Sequence, residues 1–172
     1  MDAPELAVVV VNHNTGDFLA RCMSSIGSSP GELRVEVVVV DNASSDGSAD
    51  RAAGPGVRLI RNPDNRGFAR AANQGIASTE APLVLLLNPD AEVVGGSLSA
   101  LVKVARERPR AGAVGALVRN PDGSIQPSAR RVPRLGEALG HAFLGPIWKD
   151  NPWTRAYTMA DWPRLALGDA DS

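Results

Sequence analysis

The chain has 172 residues, of which 44% are hydrophobic and 22% are charged, and its formal net charge is −1. These values are typical of one soluble globular domain, and the charge gives no support to general nucleic-acid binding. The single cysteine, Cys22, excludes an internal disulfide and a cysteine-rich zinc site. Because the sequence shows no signal peptide and no apolar run long enough to span a membrane, we expect a cytoplasmic protein, with peripheral membrane contact left open.

In chain order, short apolar runs rich in β-branched residues alternate with amphipathic segments. The runs predict strands at 6–11, 35–40, 57–60, 83–87 and 113–118. The segments between them predict helices at 18–26, 67–77 and 97–107, with a short helix after residue 48. The strands are continuously apolar, which is typical of a sheet buried on both faces. We therefore predict an α/β fold with a mostly parallel sheet and flanking helices.

Acidic residues follow two of the predicted strands. Asp41 comes directly after the second strand, and Asn88-Pro89-Asp90 ends the fourth, since proline cannot donate to a strand ladder. Open α/β sheets bind their ligands beyond the carboxyl ends of the strands. A carboxylate such as that of Asp90 can hold a divalent cation there, and the cation can hold a diphosphate. A simple turn is the alternative explanation of Asn-Pro-Asp.

Several common nucleotide-binding and catalytic signatures are absent from the sequence. The first strand is followed by the polar segment 12–16 and not by Gly-x-Gly-x-x-Gly, which disfavours a dinucleotide-binding fold. Neither Gly-x-x-x-x-Gly-Lys-Ser/Thr nor Gly-x-Ser-x-Gly occurs, which excludes a P-loop NTPase and a nucleophile elbow.

Four segments in a fixed order, 8–14, 40–48, 65–75 and 88–90, resemble the nucleotide-sugar half of family-two glycosyltransferases, which have the Rossmann-like GT-A fold. Asn-Pro-Asp in place of the usual Asp-x-Asp, together with segments between 109 and 154, is similar to the rhamnosyltransferases of this family. The resemblance implies inverting transfer of L-rhamnose from dTDP-L-rhamnose to a polyprenyl-diphosphate-linked N-acetylglucosamine. It also implies Mg²⁺ or Mn²⁺ as cofactor and a role in cell-wall biogenesis, at the arabinogalactan linker.

The resemblance assigns site residues as well. Those expected to bind the nucleotide sugar are Val11, Asn12, Asn14, Asp41, Asn65, Gly67, Arg70 and Asn88. Asp90 is the expected metal ligand, and the neutral Asn88 stands where the family has the first acid of its pair. Asp41 is expected to accept the N3–H of thymine or uracil, and the alternative role of an Asx turn better suits Asp46. Arg70 lies near a predicted helix start, where it either binds the diphosphate or is a solvated arginine on an exposed face.

We expect residues 1–160 to form the nucleotide-sugar-binding part of a GT-A domain and 161–172 to form a divergent, disordered tail, because the family pattern stops near Trp162. The general base would then lie in a C-terminal half that this chain lacks, so the catalytic residues are left unassigned. The alternatives are a catalytically impaired nucleotide-sugar-binding fragment, a family-two enzyme with another donor and, more weakly, a sugar nucleotidyltransferase. Arg130 and Arg131 meet phosphate or form a charged surface.

Overall fold

The computed structural model describes residues 3–28 and 32–126 and the single positions 148, 152 and 155. The expected tail at 161–172 and the arginines at 130 and 131 lie outside the described residues. The chain divides into two compact units, Met1–Gly112 and Ala113–Ser172. Among the described residues, the helices are too short or too polar to cross a lipid bilayer.

The first unit alternates strands and helices along the chain. Its elements are β1 Leu6–Asn12, α1 Phe18–Gly27, β2 Val35–Asn42, α2 Ser48–Ala52, β3 Val57–Asn62, α3 Phe68–Ala77, β4 Val84–Leu87 and α4 Ser97–Glu107. The four strands form one sheet in the order β3-β2-β1-β4, and each neighbouring pair is parallel. The predicted α/β class with a mostly parallel sheet and flanking helices is therefore confirmed.

The central strands β1 and β2 are buried because helices cover both of their faces. On one face, Val8 and Val10 of β1 pack with Leu19 of α1 and Leu98 of α4. On the other face, Val9 of β1 packs with residues of β2 and α3. Successive β1 side chains face opposite sides of the sheet because a strand has a two-residue period. Each fully buried leucine contributes about 1.5–3 kcal/mol of hydrophobic stabilisation.

The sequence of α1 explains why this helix packs one face against the sheet. Its apolar side chains at Leu19, Cys22, Met23 and Ile26 follow the i, i+3, i+4, i+7 spacing that places them on one face of a helix. The Cys22 side chain is fully buried in that face, so the thiol is part of the core.

Two expectations about strands were wrong. Strand β4 is not buried on both faces, because Val84 and Leu86 are 37% and 47% exposed. It lies at an edge of the sheet, and a local run of apolar residues carries no information about strand order. Residues 113–118 form no strand, although all of them are described. This run contains glycine and alanine, which are poor strand formers, and it gains no ladder partner in the described part of the chain.

A turn at residues 120–123 follows this run in the second unit. The backbone N–H of Gly123 donates to the carbonyl oxygen of Asn120 at 2.9 Å, and Gly123 has a φ of 83°, which favours glycine. Arg119 and Ile125 form an antiparallel bridge across this turn.

Candidate nucleotide-sugar site

Polar side chains collect where the parallel strands end. Strands β1, β2 and β3 all finish on an asparagine, at positions 12, 42 and 62. The register places Asn12 opposite Asp41 and Asn42 opposite Asn62. These side chains are buried, so this edge of the sheet is built from polar groups that water does not reach and that must bond to one another.

The side chain of Asn12 joins the ends of β1 and β2. Its Nδ2 donates to Oδ1 of Asp41 at 2.9 Å, to Oγ of Ser44 at 3.0 Å and to Oγ of Ser48 at 2.9 Å. The amide has two hydrogens for these three acceptors, so two of the acceptors share one hydrogen. Asp41 is 3% exposed, and its Oδ2 also accepts the backbone N–H of Ser44 at 3.3 Å. The expected base-binding carboxylate therefore lies at the predicted edge, already bonded to Asn12.

The loop after β1 is bonded to the loop after β2. Asn14 has a left-handed φ of 52°, its backbone N–H donates to Oγ of Ser44 at 3.0 Å, and its Oδ1 accepts the N–H of Ser45 at 2.8 Å. Asparagine tolerates this conformation better than most residues. The side chain predicted to bind the donor thus also fixes the shape of the loop that surrounds the site.

Asp46 completes this loop pair. Its carboxylate accepts the hydroxyl of Ser48 at 2.6 Å and the backbone N–H groups of Ser48 and Gly16 at 2.9 and 2.7 Å. The bond to the backbone N–H of Ser48 is the Asx turn expected from the sequence. These hydrogen bonds, the Ser48 hydroxyl first, lower the pKa of Asp46 to about 2, because they stabilise the ionised form.

The start of α3 carries three further residues expected at the site. Asn65 bonds to the end of β2, since its Oδ1 accepts Nδ2 of Asn42 at 2.7 Å. Gly67 precedes the helix with φ 78° and ψ 159°, a conformation open essentially to glycine alone. Arg70 is exposed in the first turn of α3. Val11, by contrast, is a half-buried β1 residue that packs against the core.

The loop after β4 contains Asn88 and Asp90, and residues of α1 contact it through hydrogen bonds. The Asn88 carbonyl oxygen lies 3.7 Å from Sγ of Cys22, and Oγ of Ser25 accepts the backbone N–H of Val93 at 2.9 Å. Burial raises the pKa of the Cys22 thiol to about 11, with a smaller contribution from the nearby carboxylate of Asp90. The thiol therefore stays protonated and unreactive at neutral pH.

The side chains of Asn88 and Asp90 are both exposed. Within the described part of the chain, there is no cluster of three or more histidine, cysteine or acidic residues that could enclose a metal ion. A single exposed carboxylate still fits Mg²⁺, because this ion typically takes one or two protein carboxylates and completes its shell with water and substrate phosphates.

Four residues of the polar edge were not predicted from the sequence. Side-chain hydrogen bonds of this edge come from residues that were not candidates, namely Asn42, Asn62, Ser44 and Ser48. The available signal was their position, since each lies in the loop that follows a predicted strand. The sequence did not indicate which of these side chains would be buried and bonded to one another.

Comparison with known proteins gives the same class of protein as the fold and site. The sequence profile of Glycosyl transferase family 2 matches residues 7–161. The chain therefore belongs to glycosyltransferase family 2, and the expected GT-A fold agrees with its structural neighbours. One of these is the mannosyltransferase PcManGT from Pyrobaculum calidifontis in complex with GDP-Man and Mn²⁺, with a TM-score of 0.58 and 24% identity over 71% of this chain and 37% of that one.

Two curated relatives describe what the chain is similar to. It is 41% identical, over 88% of its length, to the N-acetylglucosaminyl-diphospho-decaprenol L-rhamnosyltransferase of Mycobacterium tuberculosis, of which it covers 53%. It is 34% identical to the succinoglycan biosynthesis protein ExoU of Rhizobium meliloti, over 57% of this chain and 30% of that protein. The chain thus spans about half the length, or less, of these relatives.

Proposed function

We propose that this chain binds the donor of a rhamnosyltransferase, in which L-rhamnose passes with inversion from dTDP-L-rhamnose to a polyprenyl-diphosphate-linked N-acetylglucosamine. The observation that carries this proposal is the 41% identity to the mycobacterial rhamnosyltransferase, which extends over 88% of the chain. We place donor binding in residues 1–160. A lipid-linked acceptor also implies contact with the inner face of the plasma membrane.

The geometry of the polar edge supports donor binding. We assign the pyrimidine to Asp41, whose carboxylate accepts the N3–H that thymine and uracil possess and cytosine lacks. We assign the diphosphate to the exposed start of α3, where Asn65, Gly67 and Arg70 lie. An arginine beside a helix start suits phosphate oxygens, because guanidinium and backbone N–H groups both donate to them.

We assign the divalent cation, Mg²⁺ or Mn²⁺, to Asp90. The Mn²⁺ complex of the structurally similar mannosyltransferase supports a divalent metal in this fold, and Asn88 would contribute a neutral oxygen or a hydrogen bond. When bound, the ion would neutralise the negative charge that develops on the leaving diphosphate. The role of Asp90 is to hold the ion at the carboxyl end of β4.

Calorimetric titration with dTDP tests the donor site. We expect dTDP to bind more tightly with Mg²⁺ or Mn²⁺ than with EDTA, and Asp90→Asn to abolish this difference. Glu92→Gln is the matched control, because it removes the same charge from an exposed acid two positions away in the same loop. Equal affinities with and without metal in the unaltered protein would refute the metal assignment.

A transfer assay tests the reaction. The chain is incubated with radiolabelled dTDP-L-rhamnose and a polyprenyl-diphosphate-linked N-acetylglucosamine, in parallel with UDP-sugars as competing donors. Transfer of rhamnose in preference to other sugars supports the proposal in full. Metal-dependent dTDP binding without transfer would restrict the function of this chain to donor binding, and transfer only from a UDP-sugar would refute the choice of donor.

A further inference from the structure

The side chain of Asn42 is a buried amide that bonds toward one segment of the chain. It ends β2 and is 2% exposed. Its Nδ2 donates to Oδ1 of Asn65 at 2.7 Å, and its Oδ1 accepts the backbone N–H of Arg66 at 3.0 Å. Oδ1 also accepts Nδ2 of Asn62 at 3.3 Å. Both ends of the amide thus contact the segment that leads from β3 into α3.

This segment has little else to hold it against the sheet. All residues from 63 to 70 are exposed, so the segment buries no side chain of its own. Helix α3 begins after Gly67 without a side-chain cap, and the N–H of Gly67 donates instead to Oδ1 of Asn65 at 2.9 Å. The Asn65 oxygen therefore receives one bond from the sheet, through Asn42, and one from the turn that begins the helix.

We infer that Asn42 is a positioning residue for the donor diphosphate. The inference rests on the proposed function, which places the diphosphate at the start of α3. Both ends of the Asn42 amide are already bonded to protein groups, so Asn42 acts through Asn65 and the backbone of Arg66. By holding these two residues, it keeps the N–H of Gly67 and the first turn of α3 in a fixed orientation, so that binding need not order them.

Neither aspartate nor serine at position 42 would reproduce both bonds of the amide. A carboxylate at this position would still accept the N–H of Arg66, but it would place an oxygen against Oδ1 of Asn65, where the structure has a donor. A serine would be too short to reach both partners. Ser78 offers a control at the other end of α3, since its half-buried hydroxyl donates to the carbonyl oxygen of Gly75 at 2.7 Å and lies outside the polar edge.

The test compares dTDP with thymidine, which carries the same base and sugar but no phosphate. We expect Asn42→Asp and Asn42→Ser to lower the affinity for dTDP about tenfold to a hundredfold, the range typical of residues that orient the groups in direct contact with a ligand. The affinity for thymidine, measured by competition, should change by no more than about twofold. Ser78→Ala should leave both affinities nearly unchanged. Equal loss of dTDP and thymidine affinity would show a merely structural role and overturn the inference.

A double substitution checks that Asn42 acts through Asn65. If it does, Asn42→Ser should cause a smaller further loss of dTDP affinity in the Asn65→Ala background than it causes alone, because only the bond to Arg66 then remains to be removed. Additive losses would contradict the mechanism. Amide hydrogen exchange gives a second readout that needs no ligand. We expect faster exchange at Arg66 and Gly67 in Asn42→Ser, and unchanged exchange there would overturn the inference. Failure of the unaltered protein to bind dTDP would instead refute the proposed function.

Discussion

Gly75 lies where α3 approaches the sheet most closely, and replacing it tests how the helix is seated. A Cβ atom at position 75 would overlap Cγ1 of Val9 and lie 3.1 Å from Cγ2 of Val40. Both valines are fully buried strand residues, and their branched side chains have few rotamers in which to retreat. We therefore expect Gly75→Ala to displace α3 from the sheet and to destabilise the protein.

Two opposing effects determine how much Gly75→Ala changes the free energy of unfolding. Adding a methyl group to a well-packed core typically costs about 1–3 kcal/mol of the free energy of unfolding. Replacing glycine by alanine inside a helix raises the free energy of unfolding by about 1 kcal/mol, because an alanine residue loses less conformational entropy on folding. The contact with Val9 is closer than real Cβ atoms adopt, which favours the upper half of the cost. The expected net loss is about 1–2 kcal/mol.

Urea unfolding followed by circular dichroism measures this loss. Gly27→Ala is the control, because Gly27 ends α1 and a Cβ atom there would meet nothing within 4 Å. We expect this control to match or exceed the stability of the unaltered protein. Combining Gly75→Ala with Val9→Ala should give a favourable coupling of about 0.5–3 kcal/mol. If Gly75→Ala were as stable as Gly27→Ala, the close packing of α3 would be refuted.

Three further predictions address buried and acidic groups. Cys22 should react with iodoacetamide at pH 8 only after unfolding in urea, and rapid labelling of the native protein would contradict its burial and its pKa of about 11. Asp41→Ala should weaken dTDP and UDP about tenfold or more but leave CDP nearly unchanged in calorimetry, whereas a uniform loss would indicate a structural role. The lowered pKa of Asp46 means that its stabilising contribution is present above the ordinary value of 3.8 and is lost as the pH falls toward 2. The urea midpoint should therefore fall less between pH 5 and pH 2.5 in Asp46→Asn than in the unaltered protein, and identical pH profiles would contradict this assignment.

Helices were predictable from the sequence where periodicity and chain breakers agreed. The predicted helix at 97–107 has the observed bounds Ser97–Glu107, because its apolar positions repeat with helical spacing and Pro109 prevents continuation. The helix expected at 18–26 is observed at Phe18–Gly27 for the same reason of spacing. Such signals depend only on neighbouring residues, so they predict a helix without knowledge of the rest of the fold.

Strand burial was less predictable because it depends on strand order. The apolar run at 83–87 and that of β1 look alike in sequence, yet β1 is central and β4 lies at the edge. The run at 113–118 had a strand-like composition and still formed no ladder in the described structure. A strand requires a partner with free hydrogen-bonding groups, and no local pattern reports whether the sheet offers one.

The polar edge was predictable in place but not in its internal bonding. Asp41 and Asn12 were both expected to bind the donor, and the structure bonds them to each other. These two roles are compatible, because an ionised carboxylate has about four acceptor sites on its two oxygens. Oδ1 of Asp41 accepts the amide of Asn12 at 2.9 Å, while Oδ2 receives only a longer bond of 3.3 Å from the N–H of Ser44. Oδ2, which has only this longer bond, is therefore the better candidate to accept a pyrimidine N3–H in the proposed site, and the bond from Asn12 to Oδ1 holds the carboxylate in place.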